Sequence, residues 1–248
     1  MPRAKQDDST RTRPLTIPAL REYGALDAFS APGSFDPGGE WTHTYRIWLV
    51  GSRGRREMGS LRLERTAGGD AVVLDVAQSV KQATGSVHET NARIQCRPNQ
   101  LCSPLSWRIE SVLLDADGRP LETTRVEQTA AVHDGAIEIV HGDTSSVRKV
   151  PRAFTSNWSL FEAVQRLPGA KTRPLRFALL EDLDLLKKGQ RLSFQETATF
   201  ELGGKALRLD GYHQTGRGVL PYHYWVDEHR RLLVAISGIR AYILDSTA

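Results

Sequence analysis

Two histidines and three aromatic rings crowd into one C-terminal stretch: His213, Tyr222, His223, Tyr224 and Trp225. An imidazole is a general base near neutral pH, and flat rings bind the apolar faces of sugars or lipids. Strand alternation puts Tyr222 and Tyr224 on one face with Leu220 and Val226, and His223 and Trp225 on the other with Asp227. Core packing on one side and an amphipathic surface on the other account for the same pattern without chemistry. Two histidines ten positions apart are not a metal-binding spacing, so neither a metal site nor a cofactor is expected.

Glu196 falls on the apolar alternation of Leu192, Phe194, Ala198 and Phe200. A carboxylate there must be paired or hold its proton. A buried arginine such as Arg46, Arg93 or Arg125 is one solution, and a cavity-lining acid that binds or protonates a ligand is the other. Arginine's planar fork also suits an acidic ligand. The candidate ligand-binding set is therefore Tyr222, Tyr224, Trp225, Arg46, Arg93 and Arg125, with His213, His223 and Glu196 as catalytic candidates. Glu127 reads as a solvated position beside Arg125.

No glycine-rich phosphate loop, G-x-S-x-G elbow or H-E-x-x-H pair occurs in the chain. Most standard hydrolase, kinase and dehydrogenase classes lose support accordingly. The net charge of +4 is scattered singly along strands rather than clustered with stacking aromatics, so no nucleic-acid partner is expected. No apolar run approaches the ~20 residues of a membrane-spanning helix. Oligomeric state is not legible.

Cys96 and Cys102 flank a loop rich in turn residues, CRPNQLC. That spacing allows a disulfide, with two free thiols as the alternative. A disulfide places the chain in an oxidising compartment. Met1–Arg13 is charged and lacks an apolar core, so the expectation is a periplasmic or secreted protein whose leader has been removed, with a cytoplasmic one as the alternative.

The elements that must position these groups are strands. Period-2 apolar runs at Leu220–Val226, Leu232–Ile236 and Ile239–Ile243 are punctuated by Gly216–Gly218, Asp227–His229 and Ser237-Gly238. Earlier runs begin at Trp41, and Asp117-Gly118 and Asp134-Gly135 mark hairpins. Helical spacing appears only over Thr155–Leu167, where Ser159 to Glu162 has capping-box spacing, and as a short turn over Glu181–Lys188. Residues 1–40, with five prolines, read as an extended, partly disordered lead-in. The expectation is an all-β fold: one antiparallel domain over 41–248, a large barrel or half-barrel of about ten or more strands with a helical insertion near 155–188.

The closing hairpin pattern (Gly218, Leu220, Pro221, Tyr224, Trp225, Val226, Asp227, Glu228, Arg231, Leu232, Leu233), after a long meander and an interrupting helix, resembles exported bacterial β-barrel proteins of uncharacterised function. These are loosely similar to the half-barrel of the outer-membrane lipoprotein carriers. The resemblance implies a fold and carries no catalytic residue. Two functions follow as expectations: an exported barrel binding a small amphipathic ligand (lipid, acyl chain or glycan) in its cavity, or a polysaccharide lyase or glycoside hydrolase using a His/Tyr/Arg/Glu cleft. The second requires those groups to converge.

Overall fold

A computed structural model describes residues 16–22, 24–30, 33–51, 54–171, 173–238 and 240–248. Eight strands run in sequence from the first tryptophan: β1 (Trp41–Gly51), β2 (Gly54–Gly68), β3 (Ala71–Lys81), β4 (Val87–Cys96), β5 (Pro104–Leu114), β6 (Val126–His133), β7 (Ala136–His141) and β8 (Thr144–Lys149). A three-residue strand, β9 (Phe154–Ser156), leads into the helix α2 (Asn157–Ala163). Then follow β10 (Leu175–Glu181), β11 (Leu185–Leu202), β12 (Lys205–Thr215), β13 (Tyr222–Val226), β14 (Leu232–Ser237) and β15 (Arg240–Thr247). A short helix, α1 (Ile17–Glu22), precedes them all.

Among the described residues all fifteen strands belong to one sheet, in which β1 pairs with β15. The strands β2 to β8 are laid down in order on one side of β1, and β14 back to β9 on the other. The chain's two ends thus meet at the sheet's centre, while its middle supplies both edges. Every neighbouring pair is antiparallel except β9 with β10.

The sheet rolls up without closing its ladder. The β9 edge is tucked inside, with all three residues buried. Thr155 Oγ1 donates to the Leu101 carbonyl at 2.6 Å, and Ser103 Oγ donates to the Phe154 carbonyl at 2.6 Å. Edge β8 stays outside and exposed, Val147 at 69%. Across the seam, Gln128 Nε2 donates to the Leu183 carbonyl at 3.0 Å and Arg148 pairs with Asp184 at 3.1 Å. Side chains, not backbone ladders, hold the two flanks together. The half-barrel expectation is met.

Helix α2 lies within the roll. Its N-cap is Ser156, whose Oγ accepts the Ser159 N–H at 3.0 Å, three residues ahead of the capping-box position read from the sequence. From Trp158 to Ala163 every residue is buried, as a helix enclosed on all sides requires. Phe161 meets Tyr45 at 5.4 Å and Tyr242 at 5.3 Å, both edge-on. Glu162 is wholly buried between Arg65 (Nε at 3.1 Å) and Arg166 (Nε at 2.7 Å).

Two sequence expectations differ from this structure. The short helical turn over Glu181–Lys188 is instead the β10–β11 hairpin. Asp182 (φ 48°) and Leu183 (φ 58°) are consecutive left-handed residues, the geometry of a tight hairpin turn. Leu183 mimicked a helical position because the turn points it into the core, where it is fully buried. Within the lead-in, α1 and the turns after it bury Ile17, Leu20, Ala25, Leu26 and Phe29 in the common core. Gly203 (φ 54°) has no room for a Cβ against the Phe29 carbonyl, which fixes that approach. Residues 1–15, Ser52, Arg53 and Ile239 lie outside the described residues.

Candidate functional site

Where α2 stops filling the roll, a cavity of about 740 Å³ remains, lined from both flanks of the sheet. Trp158, on the first turn of α2, forms part of its wall together with Leu49, Val80, Ile109 and Leu179. Alternation on β13 sends Tyr222 and Tyr224 into it, with their rings stacked at 5.4 Å and 15°. Register places Tyr222 opposite Gln214, and Tyr224 donates its hydroxyl to Gln214 Oε1 at 2.8 Å. Burial pushes both phenols well above the usual tyrosine range, so they remain neutral donors. Gln214 Nε2 is buried and has no partner among the described residues.

The facing wall carries a row of uncharged polar side chains. Gln78, Thr90 and Ser111 are cross-strand neighbours on β3, β4 and β5. Ser111 Oγ is hydrogen-bonded to His88 Nε2 at 2.6 Å and to Thr90 Oγ1 at 3.3 Å. Charges gather in the β10–β11 part of the wall: Glu181 pairs with Lys187 at 2.5 Å and Asp184 with Arg148. Asp182 accepts from Asn157 Nδ2 at 3.0 Å. Burial, and then the Glu181 charge, raise its carboxyl pKa above the usual range. Against the lowering effect of burial, the nearby Tyr242, Tyr222 and Asp182 raise the Arg240 pKa.

The other sequence candidates go elsewhere. His213 and His223 stack on each other at 4.3 Å and 18°, on the sheet face opposite Tyr222 and Tyr224. Burial lowers the pKa of both. Trp225 shares that outer face, packed over Gly211 and edge-on to Phe200 at 4.8 Å. Glu196 is exposed, contrary to the core position expected. A register shift between Phe194 and Glu196 inserts an extra residue and breaks the alternation. The arginines are corrected likewise. Arg46 pairs with Asp245 at 3.1 Å, Arg93 with Asp75 at 2.7 Å, and Arg125 with Glu110 and Glu122; none of the three lines the cavity. The histidines lie on the face opposite the tyrosines and the arginines are paired elsewhere, so the His/Tyr/Arg/Glu cleft that the carbohydrate-enzyme reading required is not assembled.

No disulfide joins Cys96 and Cys102 in this structure, where both side chains are fully buried thiols. Asn99 shapes the loop by accepting the N–H groups of Leu101 and Ser103 on its Oδ1. Cys102 is left-handed (φ 46°), and the neighbouring Cys96 thiol, with burial, raises its pKa. Cys96 Sγ also lies 3.7 Å from Ser159 Oγ.

The residues missed were the neutral polar ones. Gln78 interrupts the inward series Val72, Leu74, Val76 and Val80, and Ser111 follows Trp107 and Ile109. A polar residue on an apolar alternation is the signal that drew attention to Glu196, and here it marks the cavity wall. No described helix is long and apolar enough to cross a membrane.

No family model matches the sequence, and no curated protein matches it. Among solved structures, the chain is similar to a beta-barrel-like protein of a domain of unknown function (DUF1849) from Brucella abortus. The TM-score is 0.59 at 10% identity, over 85% of this chain and 97% of that one. This likeness is one of fold, a beta-barrel-like antiparallel sheet, in agreement with the resemblance seen in the closing hairpin.

Proposed function

We propose that this half-barrel is an exported binding protein that houses an amphipathic ligand in its cavity. The observation that carries the reading is the wall itself: apolar side chains around Trp158 and Leu179 adjoin a buried amide donor, Gln214 Nε2, with no partner of its own. A buried donor left unpaired costs roughly 1–3 kcal/mol, which a ligand acceptor would recover. A cavity of this volume, within the ~300–1,000 Å³ of small-molecule sites, holds a molecule of moderate size.

Native mass spectrometry of freshly purified protein is expected to show a bound species that denaturation releases. Thermal melts against a panel of lipids and glycolipids are the second measurement. A ligand at about 100 times its Kd adds roughly 2.7 kcal/mol, or about 5–10 °C for a domain of this size. A panel with no shift, and no bound species, would overturn the reading.

Export rests on the thiol pair. Cys96 raises the Cys102 pKa, so the two thiols are neighbours, and a disulfide between them is the form an oxidising compartment would favour. Denatured, unreduced protein taken from the periplasm is expected to titrate no free thiols. Two free thiols in that material would remove this support for export.

A further inference from the structure

We propose that the cavity selects an uncharged, polyhydroxylated headgroup, a saccharide ring on an amphipathic ligand, with the Gln214 amide as its donor. This deepens the binding reading above and rests on it. Three observations point the same way.

First, the walls carry more neutral hydrogen-bonding side chains than an acyl chain alone would need. Gln78, Thr90 and Ser111 form a continuous row on one flank, with Gln214 and Tyr222 on the other. Lining of that kind gains nothing from hydrocarbon, which offers it no further partner, and is favourable against hydroxyls, each of which both donates and accepts. A site built to bond hydroxyls also rejects analogues that lack them.

Second, the ionic groups of the cavity have opposite or hydrogen-bonding partners within the protein. Lys187 is paired with Glu181 and Asp184 with Arg148, Asp182 is bonded to Asn157, and Arg240 lies near Asp182 and Tyr242. A carboxylate, phosphate or ammonium headgroup at Lys187 or Asp184 would have to break an ion pair to gain its own. A neutral headgroup need not.

Third, Gln214 Nε2 is the wall atom whose bonding is incomplete. Its own Oε1 is fixed by Tyr224, so the amide is oriented before any ligand arrives. A ring hydroxyl accepting from Nε2 completes the chain Tyr224 to Gln214 to ligand, at little ordering cost.

The test uses three amphiphiles with one alkyl chain and different heads: n-octyl-β-D-glucoside, octanoate and octyltrimethylammonium, each below its micellar concentration. Calorimetry on the full chain is expected to give binding of the glucoside, with both charged compounds at least tenfold weaker. Gln214→Leu is expected to weaken the glucoside about tenfold and leave the charged compounds unchanged. Should Gln214→Leu fail to fold, Ser111→Ala on the facing wall takes its place, with a smaller loss selective for the glucoside. If a charged amphiphile binds as well as or better than the glucoside, the headgroup assignment falls while the cavity reading stands. If none of the three binds a folded protein, both fall. If the glucoside binds but neither variant weakens it selectively, the neutral wall is not its site and the inference is overturned.

Discussion

Glu162→Leu is expected to lower folding stability by about 3–5 kcal/mol, the range for breaking a buried ion pair on one side only. The carboxylate has no exposed surface, and Arg65 opposite is only 6% exposed. Removing it leaves Arg65 with the carbonyls of Gly38 and Gly39, neutral acceptors that cannot offset a buried cation. Arg166, at 23% exposure, turns to solvent more easily. The double variant Arg65→Met/Glu162→Leu is therefore expected to recover part of the loss, because it removes the stranded charge along with its partner. Urea unfolding of the parent, both single variants and the double variant gives the coupling directly. A loss below about 1 kcal/mol for Glu162→Leu would mean that the pair is screened as a surface bridge is.

Acid is expected to weaken the fold through His43, well above the pH at which carboxylates titrate. The ring is fully buried, stacked on Trp41 at 4.4 Å, with Nδ1 3.2 Å from the Tyr45 hydroxyl. Burial, and then the nearby Arg231 charge, lower its pKa from 6.5 to about 3. The folded chain thus keeps the imidazole neutral while the unfolded chain protonates it below 6.5. Its contribution to stability is complete above pH 6.5 and drains away as the pH falls toward 3. At pH 5 the loss is about 2 kcal/mol, from about 1.4 kcal/mol for each pH unit. His213 and His223 act in the same direction, while Asp182 and Asp227, with raised pKa values, oppose them. Comparing the parent with His43→Phe isolates the one group: the stability gap between them should narrow by about 2 kcal/mol from pH 7 to pH 5. Parallel pH profiles would show that His43 takes up its proton without unfolding.

The C-terminal hairpins were legible because each turn carries its own chemistry, and the strands β12 to β15 follow them closely. Helix α2 was legible from its spacing, although its cap sits at Ser156 rather than Ser159. Glu196 failed for a local reason: a bulge leaves no mark in an alternating pattern, yet it reverses every face beyond it. The β10–β11 turn failed because left-handed residues there are aspartate and leucine rather than glycine. Of the site, the inward tyrosines were correctly placed on one face. The arginines were not, because a solvated cross-strand pair such as Arg93 with Asp75 and a ligand-binding arginine look alike in sequence. The polar row of Gln78, Thr90 and Ser111 becomes visible only when the register aligns three strands.

A closed barrel has its radius fixed by strand number and stagger. Here the edges β8 and β9 never pair, and a few side-chain bonds at Leu183 and Asp184 hold the flanks together. The girth of the roll is consequently a variable rather than a constant of the fold. Loosening it would break side-chain bonds such as the buried one from Gln128 to Leu183, where a barrel would have to break a whole ladder.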